Sequence, residues 1–386
     1  MSLALHTHAR VEGVEHVSLL KVLTAEEAAL GDYPSSRVLL WKASDPQFAG
    51  SVLSDHDSHV RGGGVTVVGA KDAAVIQPGD VVRIRPGSSM VSVLYRRGSR
   101  ANTLFATERC NSRCLMCSQP PRLDDDSWRI AELLELIRLV DRNEPQLGIS
   151  GGEPTLLGED LGRLIDACAE RLPDTHLHIL TNGRTFADRS IAASLAGRGH
   201  ANLTWGIPLY ADHAELHDQV VDAHGAFDET VQGLYELGRI GAKVEVRVVL
   251  HAMTVDRLPQ LASYIYRRLP FVDHVALMGL EPMGYAKMNR EQLWIDPADY
   301  IQPLAEAVFH LSHRGVPVSI YNLPHCVLPE PLWPFARQSI SDWKNSFAPE
   351  CEGCELVSSC SGFFASAGAA WRSRAVRPLK LLEAAA

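Results

Sequence analysis

Residues 103–121 read TLFATERCNSRCLMCSQPP, a short β-branched and aromatic run followed by Cys110, Cys114 and Cys117 inside one loop. The run predicts a strand and the Asn, Ser and Pro residues behind it a loop, so three thiols hang from one strand end. Thiolates are soft ligands that select zinc, copper(I) or iron–sulfur clusters. A structural zinc site closes its shell with four ligands, and no histidine lies between 110 and 120 to complete one. Three thiolates on a four-iron cubane leave one iron open, where a substrate or cofactor can bind.

Outward from this loop the chain alternates strand and helix. Residues 127–142 carry Ile130, Leu133, Leu134, Ile137 and Val140 on one face behind the acidic cap DDD. QLGIS (146–150) pairs with a helix at 159–172, THLHILT with 187–197 and ANLTWGIPL with 226–240. KVEVRVVL with 256–268 and DHVALMGL with 297–313 complete six units, and a short strand VPVSI follows at 316–320. Such alternation means an α/β fold of parallel strands with right-handed crossovers. Six repeats are fewer than a closed eightfold barrel requires, and an open partial barrel or a doubly wound sheet both fit. In either, chemistry belongs at the carboxyl ends of the strands. The cysteine loop follows strand one, SGGEP (150–154) strand two and TNG (181–183) strand three, so all three meet at one rim. Residues 1–100 read as a small β-rich domain: VLLWKA, GVTVVGA, VVRIRPG and VSVLYRRG, punctuated by RGGG (61–64), QPGD and RPGSSM. The boundaries expected are 1–100 for this domain, 101–320 for the repeated units and 321–386 for a Pro/Gly-rich, cysteine-rich tail.

The 386 residues are 46% hydrophobic and 22% charged, a globular composition. The opening MSLALHTHAR has no basic stretch leading into an apolar one, and nowhere do about 18 apolar residues run unbroken. A cytoplasmic protein with no membrane segment is expected. Of 37 Lys+Arg and 46 Asp+Glu, residues 1–100 hold 11 and 10, so the remainder is acidic and repels phosphate-rich ligands. Nucleic acid is an unlikely partner, and Arg83, Arg85, Arg96, Arg97 and Arg100 read as a solvated strand face. Eight cysteines in a reducing compartment point to metal, not disulfides. Cys168 lies on the apolar stripe Leu161, Leu164, Ile165, Leu172 and reads as core. Cys326, Cys351, Cys354 and Cys360 suffice to close a complete shell. His213 and His217 are four apart but have no evident third ligand, so no metal is expected there.

The spacing C-x3-C-x2-C after strand one, Met116 before the third cysteine and Gly-Gly-Glu-Pro after strand two together resemble the radical S-adenosylmethionine (SAM) superfamily. The resemblance implies a partial (β/α)6 barrel over 101–320, a 4Fe–4S cluster on Cys110, Cys114 and Cys117, and SAM chelated to the open iron. An external one-electron reductant then drives reductive cleavage to a 5′-deoxyadenosyl radical. It also implies roles for single residues. Gly151 and Gly152 let the backbone approach the methionine moiety, Glu153 and its main chain accept from the ammonium, and Pro154 stiffens the turn. Met116 lies against the adenine, Thr181 and Asn182 near the ribose, and Arg247 meets the cofactor carboxylate, an ion pair with Glu245 or Glu281 being its alternative. The catalytic residue that handles substrate is not identified.

The run C-x2-C-x5-C at 351–360 resembles the auxiliary-cluster extensions of radical peptide maturases, which implies a second 4Fe–4S cluster, with zinc as the alternative. GIPLYADHAELHDQVVDAHGAFDETVQGLYELGRIGAKVEVRVVL (206–250) resembles maturases of ribosomally made peptides. TERCNSRCLMCSQPP, GLEPMGYAKMNR and CEGCELVSSCSG are similar to the C-type radical SAM maturases of the His-Xaa-Ser repeat system. That resemblance implies a peptide or protein substrate with His-Xaa-Ser triplets and a companion radical SAM maturase. Radical chemistry on RNA or a small metabolite, and a non-catalytic zinc scaffold, are the alternatives.

Overall fold

The computed structural model describes residues 5–43, 45, 47–53, 64–69, 75–339 and 345–380; the glycine turn read at 61–63 lies outside them. Its strands form two sheets. The first comprises β1 (His6–His8), β2 (Arg10–Glu12), β3 (Ser18–Leu23), β4 (Val38–Trp41), β5 (Gly50–Leu53), β6 (Val65–Val68), β7 (Val81–Ile84) and β8 (Met90–Tyr95), in the order β1-β8-β7-β3-β4-β5-β6-β2. Its middle, β3 to β6, is parallel. A short helix α1 (Ala25–Ala29) crosses from β3 to β4, started by a reciprocal cap in which Thr24 Oγ1 accepts from Glu27 N and Glu27 accepts from Thr24 N.

The second sheet is the barrel. β9 (Thr103–Phe105), β10 (Gln146–Ser150), β11 (His176–Leu180), β12 (Leu203–Pro208), β13 (Lys243–Leu250), β14 (His274–Gly279), β15 (Val318–Tyr321) and β16 (Ala336–Arg337) lie side by side in chain order, each pair parallel. Among the described residues β9 and β16 do not pair, so the barrel is open. Crossovers are α2 (Trp128–Leu139), α3 (Glu159–Arg171), α4 (Arg189–Ala196), α5 (Ala214–Val221) with α6 (Ala226–Arg239), α7 (Leu258–Arg268), and α8 (Tyr285–Met288), α9 (Arg290–Leu293) and α10 (Ile301–Ser312). Each long helix buries a stripe, as in α3, where Leu161, Leu164, Ile165 and Cys168 are inside and acidic Glu159 and Asp160 open the first turn. The sheet runs past residue 320, because β16 is drawn from the proline-flanked PFARQ of the tail and pairs with β15. Among the described residues no helix is long and apolar enough to cross a membrane.

Strand alternation sends branched aliphatics outward under the helices and leaves polar residues toward the lumen. In β13 Val244, Val246, Val248 and Leu250 are buried while Glu245, Arg247 and Val249 are half-buried on the other face.

The β-rich unit is fastened to the barrel. Leu19, Val81 and Tyr95 share one core with Ile137, Leu139 and Val140. Directly after α2, Asp141 receives Lys21 Nζ at 2.7 Å, Arg97 Nε at 2.6 Å, Tyr33 Oη at 2.7 Å and Tyr95 Oη at 3.3 Å. Three of the five strip arginines are engaged by acids, while Arg85 and Arg100 are exposed as expected. Arg83 pairs with Glu132, Arg96 is buried on Asp80, and Arg97 bridges Glu27 and Asp141. Burial alone would raise the Asp141 carboxyl, but Arg97, Lys21 and Tyr33 hold it well below the usual carboxylate range. Its folded value lies under the unfolded one, so this stabilisation is present above about pH 4 and is lost as pH falls through the folded value. Asp141→Asn should cost about 3 kcal/mol or more and flatten the acid limb of a stability-against-pH curve measured by urea unfolding.

Candidate active site

The cysteine loop is a short backbone segment tied down on every side. On its inner flank Asp126, buried before α2, accepts from Thr107 Oγ1 at 2.8 Å and from Glu108 N at 2.5 Å. Sequence reasoning read this acid as part of a helix cap, but it latches the entry to the loop instead. Arg129 then donates to Glu108 at 2.6 Å and stacks on Phe105. On the far flank Arg113 N and Leu115 N donate to Val221 O and Val220 O at the end of α5. Asn289 Nδ2 donates to Leu115 O at 2.9 Å, and Tyr285 N to Cys117 O at 2.8 Å. Gly284, at φ +53°, has the carbonyls of Cys117 and Ser118 where a Cβ would stand. Arg184 donates to Asn111 O and, at 3.0 Å, to Ser112 Oγ, while its Nε is held by Glu229 at 2.6 Å. Arg184, Asn289 and Gly284 were missed as site residues; the available signals were the cation directly behind TNG and the glycine of GLEPMGYAKMNR.

Burial pushes the Cys110 thiol up to about 11 and Cys114 up to about 12, the charge of neighbouring thiolates adding to each, and burial likewise raises Cys117. Thiolates in that setting call for a cation to neutralise them. Among the described residues no three Cys, His, Asp or Glu side chains gather into a single-ion shell. A cubane takes its thiolates at separate corners, and three cysteines distributed along one pinned loop are compatible with that spread.

The Gly-Gly-Glu-Pro turn packs directly against the chain that enters the cysteine loop. A Cβ on Gly151 would sit 2.5 Å from Thr107 O, and one on Gly152 would overlap Arg109 O. Both glycines are thus needed for contact with the chain entering the cysteine loop, where Gly152 N donates to Thr107 O and Glu153 N to Arg109 O, each at 2.7 Å. Glu153 is fully buried, and its carboxylate is used up inside the protein. Oε1 accepts from Thr155 N at 3.0 Å and from Thr155 and Thr181 hydroxyls at 2.6 Å, and Oε2 from Asn182 N at 2.6 Å. Burial raises the Glu153 pKa while these donors oppose the shift. Pro154 opens the 3-10 turn Pro154–Leu157. Thr181 is consumed by Glu153, whereas Asn182 Nδ2 donates to Asn111 Oδ1 at 2.6 Å and so reaches the cysteine loop.

Met116 is buried in a cluster with Tyr210, Val220, Leu280 and Leu293, beneath the loop as packing. Arg247 donates to Glu245 at 2.5 Å and to Met278 Sδ at 3.1 Å, its side chain a quarter exposed to the lumen. The ion pair weighed as its alternative is present. Glu245 also accepts from His274 Nδ1 at 2.8 Å, and this histidine and Arg247 hold the carboxyl down to about 2 against the effect of burial. His213 precedes α5 beside Asp212, and His217 is buried with Nδ1 accepting from Tyr210 N.

In the tail Cys326, Cys351, Cys354 and Cys360 line one apolar cavity, along with His325, Phe363, Arg377 and Leu379. Backbone donors face two sulfurs: Gly362 N lies 3.4 Å from Cys360 Sγ and Leu379 N 3.3 Å from Cys354 Sγ. Four thiols around one dry space, with N–H groups to stabilise thiolates, fit a cluster bound by cysteine. The tail is clamped to the barrel by Ser373 and Arg374 on Asp296, and by Trp371 edge-on to Trp294 at 5.3 Å.

Gly152→Ala should lower stability by about 1–3 kcal/mol and reduce iron retained after anaerobic reconstitution. Gly199→Ala, where nothing lies within 4 Å of a Cβ, should change neither. Thermal unfolding and iron quantification check both.

The family model described as the Radical SAM superfamily matches residues 104–265. Among curated proteins the chain is 30% identical to the GTP 3′,8-cyclase of Rhodococcus opacus over 203 residues, 50% of this chain and 56% of that one. It is 28% identical to the GTP 3′,8-cyclase of Nautilia profundicola over 149 residues, 37% and 45% of the two chains. The chain thus spans about half the length of these relatives. Among solved structures, Streptococcus suis SuiB bound to precursor peptide SuiA aligns over 56% of this chain and 47% of its own, with 18% identity and a TM-score of 0.43. With the three-thiol loop, the Gly-Gly-Glu-Pro turn and the family match on the same strands, residues 104–265 are a radical SAM superfamily domain.

Proposed function

We propose that this radical SAM enzyme modifies a ribosomally made peptide or protein, with substrates bearing His-Xaa-Ser repeats as the narrower reading. The observation that carries the proposal is the pairing of a three-thiol loop on the barrel rim with a separate four-thiol cavity in the tail. Cys110, Cys114 and Cys117 would hold the first 4Fe–4S cluster, and Cys326, Cys351, Cys354 and Cys360 a second. When bound, the first cluster and SAM supply a 5′-deoxyadenosyl radical that abstracts hydrogen from substrate, given an electron from an external reductant. The chain's own part is to present that chemistry without strain or water. Asn111, Asn182 and Arg184 fix the outer edge of the loop, and the main chain of 151–153, stiffened by Pro154, offers the surface beside it. Arg247 keeps one side toward the lumen while Glu245 orients the other, which suits a carboxylate or carbonyl approaching from the rim. The resemblance of residues 206–250 and of the tail to peptide maturases supports the substrate class.

A second reading, radical chemistry on a small metabolite, is favoured by the identity to GTP 3′,8-cyclases. The RNA variant is weakened because Arg83, Arg96 and Arg97 are engaged by acids, which leaves Arg85 and Arg100 of the strip exposed. Incubating the reduced enzyme and SAM with a co-expressed neighbouring peptide or with GTP separates the readings: a mass change in the peptide supports the first, loss of GTP the second. Cys114→Ala should abolish 5′-deoxyadenosine formation with the chain still folded, and undiminished formation refutes the cluster assignment. Cys354→Ala should retain 5′-deoxyadenosine formation and lose the modified product, measured by mass spectrometry of the same reactions.

A further inference from the structure

The carboxyl ends of β13, β14 and β15 are Leu250, Gly279 and the residue after Tyr321, Asn322. Over them, roofed by the tail, lies a cavity. Its walls are mostly aliphatic and proline, with Trp294, Tyr300, Phe363, Phe364 and Trp371 as the aromatic part. Asn322 departs from the pattern twice. Its φ is +62°, in the left-handed region that residues other than glycine rarely occupy. Its side-chain Oδ1 is buried with no hydrogen-bond partner. A buried acceptor left without a partner is unfavourable, and it persists where a ligand supplies that partner. A mainly apolar pocket with a few polar groups in its wall is the usual form of a small-ligand site.

We propose that this cavity binds an aromatic side chain of the substrate that carries one hydrogen-bond donor, a phenol or an indole, with its O–H or N–H on Asn322 Oδ1. The substrate class rests on the peptide reading above; the pocket chemistry does not. The ring edges of Trp294 and Trp371, already crossed edge to face, favour a third aromatic group over an aliphatic one. The pocket also adjoins both thiol sites. Leu280 and Leu293 line it and belong to the cluster that carries Met116, while Pro324 and Phe363 line both it and the four-cysteine cavity. A side chain lodged there would hold the rest of a peptide across the rim between the two sites.

Calorimetric titration of the full chain with p-cresol, indole and toluene tests this directly. p-Cresol and indole should bind saturably and in competition with toluene. Asn322→Gly keeps the positive φ and deletes the acceptor, so the ratio of toluene to p-cresol dissociation constants should fall about three- to tenfold while toluene still binds. Trp371→Ala should weaken all three ligands. The pocket is overturned if the wild-type chain binds none of them saturably, if Asn322→Gly leaves the ratio unchanged, or if Trp371→Ala leaves every affinity unchanged. Cys114→Ala should bind p-cresol like the wild type, so failure of the pocket and failure of the radical reading give different results.

Discussion

The rim is organised around a carboxylate that water does not reach. Glu153 accepts four hydrogen bonds from Thr155, Thr181 and Asn182, and so ties the loop after β10 to the loop after β11. Removing any one donor would leave part of a buried charge unmatched, so the loops are held together or not at all. From this knot the restraint passes outward, through the backbone pairing of 152–153 with 107–109 and through Asn182 to Asn111. The cysteine loop has no regular structure of its own, yet it cannot move without breaking these bonds. A mount of that kind holds three ligands in place before any cluster arrives, which lowers the ordering cost of binding one.

The same logic explains why the flanking units belong to the site and not merely to the chain. The β-rich unit meets the barrel at Asp141, directly after the helix whose start is latched by Asp126. The tail presses on α9 and Asp296 through Arg290, Trp371, Ser373 and Arg374, and the segment bearing α8 and α9 covers Cys117 through Tyr285 and Leu115 through Asn289. Displacement of the tail would therefore be felt at the thiols of the loop, on the opposite half of the rim.

Much of the barrel was legible because its helices and strands repeat apolar residues at their own periods, and because three motifs fell behind three successive strands. Several strands escaped that reading, β3 among them although it runs six residues. β1, β2 and β5 are too short to show a period, and β16 is only Ala336 and Arg337 within a proline-flanked run. In the site, the thiols could be read from spacing alone. The meaning of Gly151, Gly152 and Glu153 could not, since sequence reveals that a residue is small or acidic but not what fills the space beside it. Here the neighbour is the chain's own backbone at 107–109 and its own threonines. The partners of Arg83 and Arg97 were hidden for a related reason: Glu132 and Asp141 lie more than forty residues away along the chain.

The central claim is that the loop at 110–117 supplies three thiolates to a cluster whose fourth iron remains open to SAM. Electron paramagnetic resonance of the anaerobically reconstituted, dithionite-reduced chain addresses it most directly. A reduced 4Fe–4S signal whose g-values shift on addition of SAM, and which is lost from a chain lacking Cys110, Cys114 and Cys117, is the expected result. A chain that assembles no such cluster, or whose loop cluster gives a spectrum indifferent to SAM, would contradict it.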